Sequence, residues 1–188
     1  MQRDFACLLT VIERQSMKTT ELDPDQIITL NDYPLYSNDL LSNYLDRCRA
    51  GEDLPFVPVI SKDIVRDYLS ADLSKAFAEF EETNPEAGYF MLDGSHRTTA
   101  LAISCRAIAA VMYETDGDID EARGFVVTGQ ILENATLDHT LAGNCEILNR
   151  YFEEKPYFMT VGQKAEKLIR ENHIPAQMLA SPGLEKRY

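Results

Sequence analysis

The sequence predicts an α/β or α+β protein with a helical C-terminal extension, and two observations carry this prediction. From about residue 20 to residue 116, short apolar runs typical of strands alternate with runs whose apolar residues recur at helical spacing. Beyond that point, helical patterns dominate. The chain is therefore predicted to divide into an N-terminal segment (1–19), an α/β domain (20–116) and a helical extension (117–188).

The charge of the chain bears on its partners. Its 188 residues include 18 Lys and Arg against 31 Asp and Glu, a net charge of −13. A surface that binds DNA needs clustered basic side chains to replace the counterions of the phosphates. The charge therefore argues against DNA as a partner.

The distribution of apolar residues and cysteines bears on location. No apolar run approaches the roughly 18 residues that a membrane span needs, so no membrane association is predicted. The run "FACLLTVI" (5–12) is predicted to be a terminal helix or strand packed on the core. Four widely spaced cysteines, Cys7, Cys48, Cys105 and Cys145, indicate reduced thiols in a cytoplasmic protein.

The first predicted elements are a strand and a helix. The β-branched run "QIITL" (26–30) lies between segments rich in Asp, Asn and Pro, which predicts a strand. Ser37 or Asn38 is then a suitable N-cap for a helix, whose apolar residues follow at helical spacing until Gly51 ends it.

The next elements are a strand containing a proline and a long helix. The segment "PFVPVISKD" (55–63) is predicted to be a strand, and Pro58 argues for an edge or distorted position because proline cannot donate a ladder hydrogen bond. Residues 64–84 keep a 3.6-residue apolar period, which predicts one amphipathic helix ending at Asn84-Pro85.

The remaining predicted elements alternate strand and helix before the extension begins. They are a strand at 88–92, a helix at 96–106, a strand at 107–114, and two extension helices near 138–154 and 160–172.

The chemistry of the sequence is concentrated in "GYFMLDGSHRTTALAI" (88–103), where an apolar strand turns into a helix. The first N–H groups of a helix lack partners within it, and the helix dipole adds roughly half a positive charge, so such a junction binds anions. Gly94 permits a close approach of the backbone. Arg97 is poorly placed for the dipole, which indicates an anionic partner, and His96 adds a hydrogen-bond donor.

The neighbouring residues extend this hypothesis and supply its alternative. Thr98 and Thr99 have hydroxyls that could donate to a phosphate or only cap the helix. Asp93 would repel a phosphate unless a divalent cation lay between them, so it is a candidate for holding Mg²⁺ or a substrate hydroxyl. In the alternative, Arg97 only pairs with Asp93 and stabilises the turn, and His96 is a partly buried residue with its hydrogen bonds satisfied.

The segment "LDGSHRTTAL" after a strand resembles the signature of the ParB/sulfiredoxin superfamily, in which a G-x-[HR]-R turn opening a helix binds nucleotide phosphates. The order around it is similar too: the strand "QIITL", a helix at 38–50, "LPFVPVI" like the P-x-x-V strand, and the following strand "AIAAVMYE". The resemblance covers roughly residues 22–116 and implies a small mixed sheet with flanking helices.

Departures from the pattern distinguish the members of this superfamily. Sulfiredoxins have a catalytic cysteine where this chain has Ser95, so cysteine attack on an oxidised partner is not expected. ParB partition proteins have a more basic "GERR" turn and a DNA-binding motif after it, whereas here the downstream helices are acidic. The "DGHHR" turn of free-serine kinases is the most similar of the three to "DGSHR".

The resemblance implies a nucleotide, ATP or CTP, held by its phosphates at Gly94, Ser95, His96 and Arg97. Asp93 would then lie near the transferred group or its Mg²⁺. An acidic residue after the first strand would act as base, and Asp32 and Asp39 are the two candidates.

Two functions follow from that implied site. One is phosphotransfer or nucleotide hydrolysis. The other is a non-enzymatic module in which the bound nucleotide controls how the C-terminal helices meet a protein partner.

Overall fold

A computed structural model describes residues 16–179 as a mixed α/β fold. The apolar run 5–12 and Cys7 lie outside the described residues. The strands are β1 (Thr19–Leu22), β2 (Ile27–Ile28), β3 (Val57–Ser61), β4 (Tyr89–Met91) and β5 (Ile108–Met112). The α-helices are α1 (Asn38–Arg49), α2 (Lys62–Arg66), α3 (Ala71–Thr83), α4 (Ser95–Ile103), α5 (Asp116–Gly124), α6 (Leu141–Glu154), α7 (Val161–Arg170) and α8 (Ala176–Leu179).

The five strands form one mixed sheet in the order β1-β5-β3-β4-β2. β1 pairs antiparallel with β5, β5 parallel with β3, β3 antiparallel with β4, and β4 parallel with β2. The predicted α/β class is confirmed. All four predicted strands are present in shorter form, because only the residues that pair with a neighbour complete the ladder.

The sheet differs from the prediction at β1 and at Pro58. β1 was not predicted, since "TTEL" is short and lacks apolar alternation; its pairing with β5 makes it a strand. Pro58 lies in the central strand, so the predicted edge position is wrong. It faces Leu92, one residue after β4 ends, and accepts a 2.9 Å hydrogen bond from the Leu92 N–H. Proline has no N–H to donate to the neighbouring strand. Because β4 ends at Met91, this missing donor lies just beyond the paired part of β3 and β4.

The long helix predicted at 64–84 is two helices, α2 and α3. The chain turns between them, and α3 begins after Ser70, whose backbone is extended. The Ser70 N–H donates to the Asn149 side chain of α6, a tertiary contact that holds the break in place. The apolar period survives the break because residues of both helices reach the same apolar cluster.

Two apolar clusters cover the two faces of the sheet, because successive strand side chains point to opposite sides. Phe90 belongs to one cluster and its neighbour Met91 to the other. Helices α2, α3, α5 and α6 cover the Phe90 face, and α1, α4 and α7 cover the Met91 face. Apolar residues of α5, α6 and α7, from the predicted extension, therefore belong to the same two clusters as the sheet.

Two further findings concern the predictions on location. No helix within residues 16–179 is long and apolar enough to cross a bilayer. Cys48, Cys105 and Cys145 are free thiols in the part of the chain that the structure describes.

Candidate functional site

The turn between β4 and α4 is built around Gly94. This residue has φ +110°, a left-handed conformation that favours glycine. A Cβ atom at Gly94 would lie 2.9 Å from Nη2 of Arg97, whose guanidinium folds back over the turn. Glycine is thus required twice, for its backbone conformation and for the space that Arg97 occupies.

The N-terminus of α4 carries free backbone donors. The first hydrogen bond of the helix runs from the Thr98 N–H to the Gly94 carbonyl, 2.8 Å, so the N–H groups of Ser95, His96 and Arg97 have no intrahelical partner. No side chain caps this end, and its first turn contains no acidic residue. No acidic side chain within the first turn of α4 itself therefore compensates the positive end of the helix dipole.

A cleft of about 280 Å³ opens over this turn. One wall consists of Asp93 to Arg97, and another of Leu30, Asp32, Tyr36 and residues of α1. Leu132, Glu133 and Asn134, from the loop after α5, form the third. Tyr36, Glu133 and Asn134 were not predicted from the sequence, since only the fold brings these segments beside the turn.

Arg97 is a buried cation with weak partners. Its exposed fraction is 1%. Nη2 lies 3.5 Å from Asp93 Oδ2 and 3.4 Å from the Phe56 carbonyl, both long for hydrogen bonds from a charged donor, and Nε has no partner. Burial lowers the pKa of Arg97, and Asp93 opposes this. The Asp93–Arg97 pair that the sequence offered as an alternative is present, but it leaves the guanidinium incompletely satisfied.

Three hydroxyl side chains near the turn have different environments. Ser95 lines the cleft, and its Oγ is buried without a hydrogen-bond partner. Thr98 donates its hydroxyl to the Gly94 carbonyl at 3.0 Å. The Thr99 hydroxyl is buried and unpartnered, but neither threonine lines the cleft. Of the three hydroxyl residues, Ser95 is therefore the one that lines the cleft.

The surroundings of His96 favour its neutral form. Its Nε2 accepts a hydrogen bond from the Ser37 N–H at 3.3 Å, and its ring contacts Tyr36 edge-on with centroids 4.5 Å apart. Burial lowers the pKa of His96; Asp32 raises it and Lys164 lowers it further. In this arrangement Nε2 is an acceptor, and the backbone N–H of His96 remains a donor.

The lowered pKa of His96 predicts an acid-sensitive stability. In the unfolded chain His96 has its ordinary pKa of about 6.5, whereas in the folded protein this pKa is lower. As the pH drops below 6.5, the unfolded chain therefore binds a proton more readily than the folded protein does. The free energy of unfolding is then retained above pH 6.5 and falls as the pH drops towards the folded pKa. We expect His96 to make the free energy of unfolding lower at pH 5.5 than at pH 7.5, and its ordinary pKa of 6.5 limits the difference to about 1.4 kcal/mol.

Urea unfolding at both pH values, followed by circular dichroism, measures this difference in wild type and in His96→Gln. The variant should lose this part of the pH dependence, while the control His139→Asn, at an exposed histidine outside the cleft, should retain it. An equal pH dependence in His96→Gln and wild type would contradict the prediction.

Asp32 is joined to a residue that sequence reasoning missed, Lys164 of α7. The exposed fraction of Lys164 is 1%, and its Nζ donates to Asp32 Oδ1, with longer contacts to the Thr29 hydroxyl (3.4 Å) and the Leu30 carbonyl (3.5 Å). Burial lowers the pKa of Lys164, and Asp32 opposes this. The one sequence signal was its position among the apolar residues of the 160–172 pattern, where a lysine is out of place.

The two candidate bases and the candidate metal ligand occupy different positions. Asp32 lines the cleft, whereas Asp39 is exposed in the first turn of α1 and outside it. Asp93 lines the cleft with 39% of its side chain exposed. Among residues 16–179 no group of three or more His, Cys, Asp or Glu could hold a metal ion. Asp93 as a ligand of Mg²⁺ therefore stays a prediction.

Comparison with known proteins finds no significant match to this chain among protein-family models, curated sequences or solved structures.

Proposed function

We propose that this protein binds the phosphates of a nucleoside triphosphate, ATP or CTP, at the N-terminus of α4. The observation that carries the proposal is that two residues lining one cleft, Ser95 and Arg97, each have a buried polar atom without a partner, the Ser95 Oγ and the Arg97 Nε. A buried polar group without a partner costs free energy, so a ligand that satisfies both is favoured.

The donors of the turn suit a phosphate chain. The N–H groups of Ser95, His96 and Arg97 converge on the cleft end of the helix, and the Ser95 hydroxyl and the Arg97 guanidinium add side-chain donors. Gly94 lets a phosphate approach the backbone closely. Thr98 and Thr99 are left out of the proposed contacts because they do not line the cleft.

The carboxylates beside the turn favour a ligand that binds together with a divalent cation. Asp32, Asp93 and Glu133 line the cleft with Arg97 as the cation among them, so phosphates alone would meet net repulsion. Mg²⁺ commonly binds one or two carboxylates together with the phosphates of its substrate. Asp93 would hold the ion, which when bound would neutralise charge on the phosphates.

The resemblance of residues 22–116 to the ParB/sulfiredoxin superfamily points in the same direction. The mixed sheet, and the strand-to-helix turn carrying "DGSHR", agree with what that resemblance implies. We infer membership on this basis as part of the proposal.

In the enzymatic form of the proposal, the site transfers the terminal phosphoryl group. The oxygen of water or of an acceptor hydroxyl bonds to the γ-phosphorus, the bond to the bridging oxygen breaks, and a nucleoside diphosphate leaves. The proton of the attacking oxygen passes to Asp32, since of the two candidate bases it is the one that lines the cleft.

A second candidate is a non-enzymatic module in which nucleotide binding controls a protein interaction through the C-terminal helices. The Asp32–Lys164 pair favours it, because this pair joins the cleft wall to α7. Release of inorganic phosphate, or its transfer to an acceptor, distinguishes the enzyme from the module.

The binding site is tested with Ser95→Ala and its matched control Thr99→Val. Both changes remove a buried hydroxyl that has no partner, so neither should lower the free energy of unfolding by more than about 1 kcal/mol. We expect Ser95→Ala to weaken the binding of Mg²⁺ with ATP or CTP about tenfold, because a hydrogen bond to a charged phosphate is lost. Thr99→Val should bind as wild type does.

Isothermal titration calorimetry with ATP, CTP and GTP, each with Mg²⁺, measures these affinities. The proposal fails if wild type binds none of the three nucleotides, or if Ser95→Ala and Thr99→Val bind equally well.

A further inference from the structure

Tyr36 is an aromatic side chain that the fold leaves in solvent at the rim of the cleft. Its exposed fraction is 82%, about twice the 42% of Tyr157. An exposed tyrosine keeps a large, rigid apolar ring free for contact with a ligand while its hydroxyl stays hydrated. Tyr36 lines the cleft beside Ser95 and His96.

The position of Tyr36 relative to the helix N-terminus is well defined. Its ring meets the His96 ring at 76° with a centroid distance of 4.5 Å. The next residue, Ser37, donates its N–H to His96 Nε2 and caps α1 through its hydroxyl. Both contacts tie Tyr36 to the residue whose backbone N–H belongs to the phosphate-binding turn.

The β2–α1 loop that carries Tyr36 is also attached to α7. Asp32 pairs with Lys164 at its start, and the Tyr33 hydroxyl donates to Glu171 Oε2. Lys167 Nζ lies 4.2 Å from the centroid of the Tyr33 ring. These contacts and those of Ser37 hold the loop on both sides of Tyr36, so less of its backbone has to be ordered on binding, which lowers the entropy cost.

The size of the cleft leaves part of a nucleotide outside it. About 280 Å³ is just below the range of roughly 300–1,000 Å³ found for pockets that enclose drug-sized ligands. If the phosphates occupy the turn, the nucleoside extends past the rim. Tyr36 is the exposed aromatic group at that rim.

We propose that Tyr36 is the stacking surface for the base of the bound nucleotide. The inference rests on the proposed function and adds the group that recognises the nucleoside. Every base has a π-face, so stacking on a tyrosine strengthens binding with little choice among bases.

The test compares ATP with inorganic tripolyphosphate, both with Mg²⁺, by isothermal titration calorimetry. We expect Tyr36→Ala to weaken ATP binding about tenfold and to leave tripolyphosphate binding unchanged. Tyr36→Phe keeps the ring and should bind ATP within about twofold of wild type. Tyr68→Ala, at a half-exposed tyrosine outside the cleft, is the matched control and should bind both probes normally.

The two proposals fail differently. If Tyr36→Ala leaves ATP binding unchanged, or weakens ATP and tripolyphosphate equally, the stacking proposal is overturned while the phosphate site stands. If wild type binds neither probe, the phosphate site itself fails and the stacking surface fails with it. A loss with Tyr36→Phe as large as with Tyr36→Ala would show that the hydroxyl, and not the ring, makes the contact, and would also overturn stacking.

Discussion

Replacing Asp32 by asparagine is expected to lower the free energy of unfolding by about 3 kcal/mol. The reason is Lys164, whose charge is buried and whose other contacts, to Thr29 and Leu30, are 3.4 and 3.5 Å long. Removing one partner of a buried pair leaves the other charge uncompensated. The cost at pH 7 cannot exceed about 5 kcal/mol, because Lys164 can lose its proton instead of remaining as an unpaired charge. Deprotonating a lysine of ordinary pKa 10.5 at pH 7 costs about that much.

The same reasoning predicts how the pH affects the Asp32→Asn variant. Burial lowers the folded pKa of Lys164, and without Asp32 nothing of opposite charge opposes it. The unfolded chain then binds more protons than the folded one below about pH 10.5, so the stability of the variant should rise with pH towards that value. Its deficit relative to wild type should therefore be smaller at pH 10 than at pH 7.

Urea unfolding followed by circular dichroism measures the effect, because the chain has no tryptophan. Asp39→Asn, the same change at the exposed candidate base, should cost less than about 1 kcal/mol. The double variant Asp32→Asn/Lys164→Met should recover most of the loss, since it removes both charges. A loss below 1 kcal/mol for Asp32→Asn, or no recovery in the double variant, would contradict a buried ion pair at this position.

Replacing Arg97 by methionine is expected to weaken binding of Mg²⁺–ATP about 100-fold while the fold is retained. Charge-assisted hydrogen bonds from a buried guanidinium to phosphate contribute about 1.5–3 kcal/mol each, and at least one would be lost. Methionine fills much of the same space. Asp93, with 39% of its side chain exposed, regains water when Arg97 is absent, so stability should change by no more than about 1 kcal/mol.

Arg97→Lys distinguishes a planar contact from a simple charge. An ammonium group cannot reproduce the paired donors of guanidinium, so this variant should still bind at least about tenfold more weakly than wild type. Calorimetry with ATP and tripolyphosphate gives the affinities, and circular dichroism confirms folding. Wild-type affinity in a folded Arg97→Met protein would leave Arg97 only the role of stabilising the turn with Asp93.

Local sequence patterns predicted most of the elements because those elements carry their own signals. The α1 helix has the N-cap Ser37 in its sequence, and the β4–Gly94–α4 junction is visible from its apolar run and its glycine. Local sequence patterns did not predict the features that depend on pairing between strands. β1 is a strand because β5 pairs with it, and Pro58 is tolerated at the centre of the sheet because β4 ends beside it.

The candidate site also has a part that the sequence predicts and a part that depends on the tertiary structure. Residues Asp93 to Arg97 are contiguous, so the sequence by itself determined that a glycine turn, a hydroxyl, an imidazole and a guanidinium open one helix. It left Asp32 and Asp39 equivalent, since both are acidic residues in the segment after a strand. Only the tertiary structure separates their positions, by bringing Asp32 to the cleft and leaving Asp39 in solvent.

Tertiary structure also decided the contributions of distant segments. Lys164 is 132 residues from Asp32 along the chain, and Tyr36 meets His96 across the α1–α4 packing. No local pattern encodes such distances, because the free energy that creates these contacts comes from burying the apolar faces of α1, α4 and α7 on one side of the sheet. The sequence determined the chemistry of the turn; the packing of the helices decided which residues face it.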